Sequence, residues 1–421
     1  MNLARSRELL ARAESVIPLG TQTLSKSPTQ FVQGATPIYL DRGKGARVWD
    51  VDGNEFIDFP MALGPVLLGY RDERVDHAIR AQLEHGITFT LNHPVEVEVA
   101  EAVVALCPGV EAVRFGKSGS DAVSAAVRAA RAITGRDLVL VAGSHGWHDW
   151  YIGSTTRDAG VPTAVRDLSR GFRFGDITAL DEALDTHGER VAAVVVEPSG
   201  PTLPPAGYLQ GLVQRCRDAG ALSVFDEVIV GFRVAPGGAR ERYGVEPDLS
   251  CYGKAMGNGM PVSAVGGRWE VMRVFEEIFY SGTHAGEALS LAAAGAVLAT
   301  IADGEVLAGI ERLGRRMLDG TRDLIERHGI GDLVVAGGEP HRTVVDFRGA
   351  NPLITRSWVQ QCLAGDGVLF NGSMFISAAH TGDDIDHTLA SFDRAFDPIS
   401  RGVDLAGLLI GPPVQPVFRA P

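Results

Sequence analysis

Apolar positions along the chain change period near residue 75 and again near residue 300. Residues 3–16 (LARSRELLARAESV) place apolar side chains at helical spacing between Arg and Glu, and Pro18 and Gly20 close that run. Short strand-like runs follow between Pro37 and Phe59 (PIYL, ARVWDVD, EFIDF), broken by Gly43, Gly45 and Gly53. Asp52-Gly53 supplies the turn chemistry of a hairpin within DVDGNEFID. Past residue 75, VDHAIRAQLEHG, EVEVAEAVVAL and SDAVSAAVRAARAITG have the 3.6-residue period of helices. They alternate with AVRFG, DLVLVAG, VAAVVVEP and LSVFDEVIVGF, which are short, Val-rich and bounded by Gly, Pro or Asp. Such continuous apolar strands between helices predict an α/β fold with a mostly parallel central sheet covered on both faces. From about residue 300 a long helical stretch (GEVLAGIERLGRRMLDGTRDLIERHG) precedes the weaker strands DLVVAG, TVVDF and GVLF, which predicts a smaller α+β domain.

Three regions are therefore expected. Residues 1–60 form a helix and hairpin packing with the small domain, 61–300 the large domain, and 301–421 the small domain, ending in the proline-rich stretch LLIGPPVQPVFRAP as an extended tail. A chain of 421 residues is too long for one core, which agrees with that division. The formal net charge of −13 argues against a general binder of nucleic acid. Cys107, Cys216, Cys251 and Cys362 are far apart and form no CxxC pair, so four reduced thiols are expected rather than a zinc site or disulfide frame. The N-terminus lacks the apolar core of a signal peptide, and no apolar run approaches the roughly 20 residues that span a bilayer, so a cytoplasmic protein is expected.

Four strand ends carry residues suited to chemistry, since ligands of an α/β sheet sit beyond its carboxyl ends. After AVRFG, residues 118–120 (Ser118, Gly119, Ser120) open a long helix, where unpaired amides and the helix dipole attract anions; both serines also suit plain helix caps. The segment is not a Walker A loop, because Glu111 stands where the first glycine belongs. Asp226 and Glu227 end an apolar strand, and a carboxylate there needs a cationic partner: either a protonated ring nitrogen or a structural ion pair. Lys254 lies among apolar and glycine residues in LSCYGKAMGNGMP, surroundings that depress a lysine pKa as Schiff-base chemistry requires, although a snorkelling lysine fits as well. His145, His148 and Asp149 in HGWHDW have the look of metal ligands, but no further ligands stand nearby to close a site, so no metal is expected.

Taken together, FGKSGSDAVSAAVRAARAITGR, VVVEPSG, FDEVIVGFR and GKAMGNGMPVSAVGGR, in that order, resemble the class III aminotransferases, in the branch containing glutamate-1-semialdehyde aminomutase. The likeness runs from RGKGARVWDVDGNEFIDF to AAHTGDDIDHTL. It implies the type I pyridoxal-phosphate fold and pyridoxal 5'-phosphate as cofactor. By position, it implies that Lys254 forms the Schiff base and Asp226 pairs with the pyridine nitrogen. Val228 is implied to pack on a ring face, and Ser118, Gly119 and Ser120 to hold the phosphate. His145 and Glu197 are implied to flank the cofactor, and Thr283 to reach the phosphate of a neighbouring subunit, which makes the enzyme a homodimer with shared active sites.

The chain also departs from that family. Ser144 stands where an aromatic residue usually stacks on the pyridine ring, with Trp147, Trp150 and Tyr151 as candidates to compensate. At the aminomutases' substrate-carboxylate arginine the chain has at best Lys26, and Gly372 replaces the glutamate of their FEAGF segment. The stretch RVFEEIFY is also shorter than the aminomutase lid. Lysine does not reproduce arginine's bidentate grip. HGWHDWY is similar to members that act on amino sugars and aminoglycoside-type antibiotics. The expectation is amino-group transfer from an amino-acid donor to a carbonyl on a small polar, sugar-like acceptor. The alternative with the same residues is an isomerase, either an aminomutase or an epimerase; a nucleotide-binding protein and a non-catalytic relative are weaker readings.

Overall fold

The computed structural model of the protein describes residues 1–416; residues 417–421, part of the expected tail, lie outside the described residues. The chain divides into two units. One comprises Met1–Leu63, Leu67–Asp72 and the described residues from Ala308, and the other is built mainly from Glu73–Leu307.

The first unit begins with a helix over Ala4–Glu14. Then come the antiparallel strands β1 (Leu40–Lys44), β2 (Arg47–Asp50) and β3 (Glu55–Asp58), with Val48 opposite Phe56 across the Gly53 turn. The Asp50 carboxylate accepts from the amides of Asp52 at 3.0 Å and Asn54 at 2.7 Å, so the turn is fixed by a side chain folded onto its own backbone. The run PIYL is extended as a strand only from Leu40, and β1 continues through Gly43. A Cβ at Gly43 would stand 2.6 Å from the Tyr70 ring, so this glycine marks a close approach and not the break expected from sequence.

The second unit contains β4 (Ala112–Gly116), β5 (Leu138–Ala142), β6 (Ser169–Gly171), β7 (Val191–Val196), β8 (Leu222–Asp226), β9 (Leu249–Tyr252) and β10 (Ser263–Gly267). They form one sheet in the order β4-β10-β9-β8-β7-β5-β6. β9, β8, β7, β5 and β6 are parallel, whereas β10 is antiparallel to both β9 and β4. β4 therefore runs in the direction of the parallel five, and the carboxyl ends of β4, β5, β7, β8 and β9 share one edge. All six residues of β7 are fully buried, which explains its unbroken apolar sequence. One face packs against the alanine-rich helix Gly119–Thr134, and the other against Tyr208–Ala219 through Leu209, Leu212 and Cys216.

The apolar run LSVFDEVIVGF leaves the sheet at Asp226, halfway along. Residues 228–232 form turns, yet Val230 and Phe232 remain buried, so burial continues after strand pairing stops. Among the described residues, no single helix is long and apolar enough to cross a membrane.

The remainder of the first unit holds β11 (Val334–Gly337), β12 (Arg342–Phe347), β13 (Val368–Leu369) and β14 (Ser373–Phe375). β11, β12 and β14 form an antiparallel sheet, while β13 pairs in parallel with β3, Val368 opposite Ile57. The helices Pro352–Gly365 and Gly382–Ser400 complete this core, with Phe370, Phe392 and Phe396 in edge and tilted ring contacts.

Candidate active site

Five of the loops leaving the shared sheet edge carry the residues singled out in the sequence. At the end of β8, Asp226 is 5% exposed. One carboxylate oxygen faces Nδ1 of His145 at 2.8 Å, and the other accepts from the Val228 amide at 3.2 Å. His145 follows β5 and is itself buried, with its Nε2 unpartnered. The carboxylate is thus held from both sides, by the loop after β5 and by the turn after β8. The pairing of His145 with Asp226 was not foreseen from sequence, where His145 had been weighed as a metal ligand before being set beside the cofactor.

The turn after β4 approaches from the side of Val228. Ser118 caps the Gly119–Thr134 helix: its hydroxyl accepts from the Asp121 amide at 3.2 Å, and Asp121 accepts from the Ser118 amide at 2.8 Å. The first amides of that helix have no intrahelical acceptor and point beyond the strand ends. A Cβ at Gly119 would stand 2.8 Å from Val228, so only glycine lets the helix start lie against that side chain. Ser120 is not a cap; its hydroxyl accepts from the Trp147 amide at 3.3 Å and ties the loop after β5 to the helix.

Lys254 follows β9, half-buried, with a left-handed backbone (φ 43°) in the short turn Lys254–Gly257. A non-glycine residue is strained there, and such strain gathers at functional sites. The preceding Gly253 lies against Val228, 3.5 Å from its Cγ1 for a Cβ built on the glycine. Glu197, just past β7, accepts from the Ser144 amide at 2.6 Å. Tyr151 donates to the Gly143 carbonyl at 2.9 Å. Burial raises the Tyr151 pKa, with Glu197 and Asp226 adding to it against the opposing Ser144 and His145, so it stays a phenol. Nothing in the sequence distinguished Tyr151 from its aromatic neighbours.

Glu227 turns away from this constellation. It is fully buried and bonded by Ser250 at 2.9 Å and the Ala239 amide at 2.5 Å, with the buried Arg240 as its counter-charge. Thr283 is exposed in the 280–285 loop, on the wall of a cavity of about 410 Å³ shared with Lys117, Asp121, Arg128 and His148. His148 is bonded to Ser124 at 2.6 Å, so the two histidines of HGWHDW have different partners. Among the described residues, no group of three or more His, Cys, Asp or Glu is placed to hold a metal ion.

In the first unit, Lys26 lies within electrostatic range of the buried Asp58, which also accepts from Tyr70 at 2.6 Å. Burial raises the Asp58 pKa to about 6 against these opposing contacts.

At the carboxyl edge of its sheet the second unit thus presents a buried carboxylate, an apolar side chain beside it, helix-start amides for an anion and a strained lysine. That set fits a flat ring with a basic nitrogen, a phosphate arm and a reactive carbonyl. The glycine cradle against Val228 and the unpartnered His145 Nε2 beside the carboxylate both agree with such a group.

Comparison with known proteins bears on this. The family model described as "Aminotransferase class-III" matches residues 31–339. The glutamate-1-semialdehyde 2,1-aminomutase of Aquifex aeolicus is 34% identical, over 91% of this chain and 97% of that protein. The FumI protein of Sphingopyxis sp. MTA144, solved with PLP, is 32% identical with a TM-score of 0.89, over 98% of this chain and 99% of that one. An omega-transaminase from Sphaerobacter thermophilus is 27% identical with a TM-score of 0.86, over 94% of this chain and 98% of that one.

Proposed function

The chain belongs to the class-III aminotransferase family, and we propose that it is a pyridoxal-phosphate enzyme moving an amino group on a small polar substrate. When bound, the cofactor supplies an electron sink for the carbon that carries the migrating group. The observation that carries this reading is Asp226, buried at a strand end and oriented by both His145 and Val228. A carboxylate so placed would keep the ring nitrogen protonated. Lys254 would hold the cofactor covalently, then, displaced by the substrate amine, serve as the base that moves the proton between carbons. The amides of Gly119 and Ser120 would hold the phosphate, with Ser118 fixing the turn through its cap. Thr283 from a second copy would complete the phosphate site, making the working unit a homodimer. Glu197 and His145 would flank the ring. A cytoplasmic setting agrees with four thiols in no disulfide among the described residues.

The named relatives favour one outcome of this chemistry, an aminomutase that shifts the group within one molecule. This outranks the transfer expected from sequence. A second reading is transfer from an amino-acid donor to a carbonyl on a sugar- or aminoglycoside-like acceptor. The stretch where the aminomutases carry a carboxylate-gripping arginine favours it, since this chain has at best Lys26 there.

A visible absorbance spectrum of the purified protein, before and after L-glutamate or L-glutamine, separates these readings. A lysine-bound cofactor gives a yellow band. If the donor bleaches it and a keto acid appears, transfer is at work; a band that persists with every common donor favours the aminomutase. Lys254→Ala should lose the covalent band and lower turnover by at least about 10²–10⁴-fold while remaining folded. Normal turnover in that variant would refute the assignment.

A further inference from the structure

Tyr151 touches both the ring of His145 and the backbone that carries it. It is 6% exposed and lies in the core between the sheet and the Gly119–Thr134 helix. Its ring meets the His145 imidazole edge-on, with centroids 5.2 Å apart. Its hydroxyl donates to the carbonyl of Gly143, two residues before His145, at 2.9 Å. Trp150 also faces the imidazole, at 6.4 Å, but its indole N–H is committed to Ser124 at 2.9 Å.

The loop that carries His145 cannot stiffen itself. His145 stands between Gly143 and Gly146, whose φ of 128° and 93° lie in the region that favours glycine. A Cβ at Gly143 would fall 2.9 Å from Glu197, and one at Gly146 only 2.2 Å from the Ser120 hydroxyl, so neither position admits a less mobile residue. Bonds from outside the loop fix it instead. The Ser144 amide donates to Glu197 at 2.6 Å, the Trp147 amide to Ser120 at 3.3 Å, and the Gly143 carbonyl accepts from Tyr151. Of these three anchors, Tyr151 alone also packs against the imidazole. The imidazole in turn meets Asp226 at 2.8 Å, and because an ionised carboxylate only accepts, Nδ1 carries the proton between them.

We propose that Tyr151 is a positioning residue. Its hydroxyl holds the Gly143 carbonyl and its ring holds the imidazole, so that His145 keeps its Nδ1–H on Asp226 and Asp226 keeps its orientation. The consequence for cofactor affinity rests on the pyridoxal-phosphate reading above; the hold on His145 does not.

The test is proton NMR of the full chain carrying isotope-labelled histidine, first without cofactor. The probe is the Nδ1–H of His145, assigned by its disappearance in His145→Gln. A buried N–H held by a carboxylate exchanges slowly with water and stays visible. Tyr151→Phe keeps the ring and removes one hydrogen bond, a loss that corresponds to roughly two- to tenfold in an equilibrium. The His145 proton of that variant should exchange faster by about that factor, and pyridoxal phosphate, titrated by absorbance, should bind more weakly by about the same factor. Tyr208→Phe, the same change at a buried tyrosine on the opposite face of the sheet, should alter neither. Unchanged exchange or unchanged affinity in Tyr151→Phe would overturn the proposal, as would an equal effect in Tyr208→Phe. Should melting curves show that Tyr151→Phe does not fold, the wild type decides: a His145 proton exchanging as fast as that of an exposed imidazole overturns the proposal. Because the imidazole signal is read without cofactor, a wild type that never forms the covalent band would refute the cofactor reading alone.

Discussion

Asp226 and Glu227 are neighbours at the end of β8, both buried and both acidic, yet their surroundings differ in kind. Glu227 has a donor on each oxygen, and its counter-charge Arg240 in turn donates to Ser250, Pro108 and Pro247. That network is closed. Asp226 has His145 on one oxygen and a single amide on the other, and His145 ends in an unpartnered buried nitrogen. That network stops at an orphan atom. A buried charge fully satisfied by its own chain is architecture, whereas one backed by an orphan polar atom is prepared for a partner. From sequence, a cofactor carboxylate and a structural ion pair were rival readings of this dipeptide. Glu227 has the closed network that the structural reading requires, and the cofactor reading is the one proposed for Asp226.

The comparison breaks if the variants exchange phenotypes. Asp226→Asn should lower turnover about 10²–10³-fold through loss of the fixed charge, with the melting temperature little changed. A stable, active Asp226→Asn protein would remove Asp226 from the site. Glu227→Ala leaves Arg240 buried without its carboxylate and should destabilise the fold by about 3–5 kcal/mol in urea unfolding. A variant of native stability but no activity would place Glu227 with the catalytic group instead.

A smaller effect sharpens the contrast through pH. Burial raises the Glu227 pKa from 4.5 to about 7, although Arg240 opposes the shift. A carboxyl whose folded pKa lies above its unfolded value contributes stability that is complete below about 4.5 and is lost as pH rises through about 7. The melting temperature of the wild type relative to Glu227→Gln, which stays uncharged, should therefore fall between about pH 5 and pH 8. Parallel melting curves across that range would show that Glu227 is already ionised throughout.

Much of the fold was legible because its signals are local. β7 reads as a buried parallel strand from VAAVVV alone, and AVRFG matches β4 residue for residue. The Asp52-Gly53 turn is equally local, held by Asp50 two and four residues away. What escaped was set by distant partners. The end of β8 is invisible within an apolar run whose later residues stay buried, and Gly43 looked like a strand break because its reason, Tyr70, lies elsewhere. In the candidate site, Lys254 and Asp226 were singled out through their motifs. The link from His145 to Asp226 spans 81 positions, and that from Ser144 to Glu197 spans 53, so no local pattern encodes them.

The parallel pairing of β3 with β13 has a consequence in time. A ribosome delivers Ile57 roughly 300 residues before its partner Val368. At about 5–20 residues per second, the nascent hairpin waits roughly 15–60 s with an unpaired edge. An open strand edge invites pairing with other chains, so newly made protein is most exposed to misassembly, and most in need of a chaperone, during that interval.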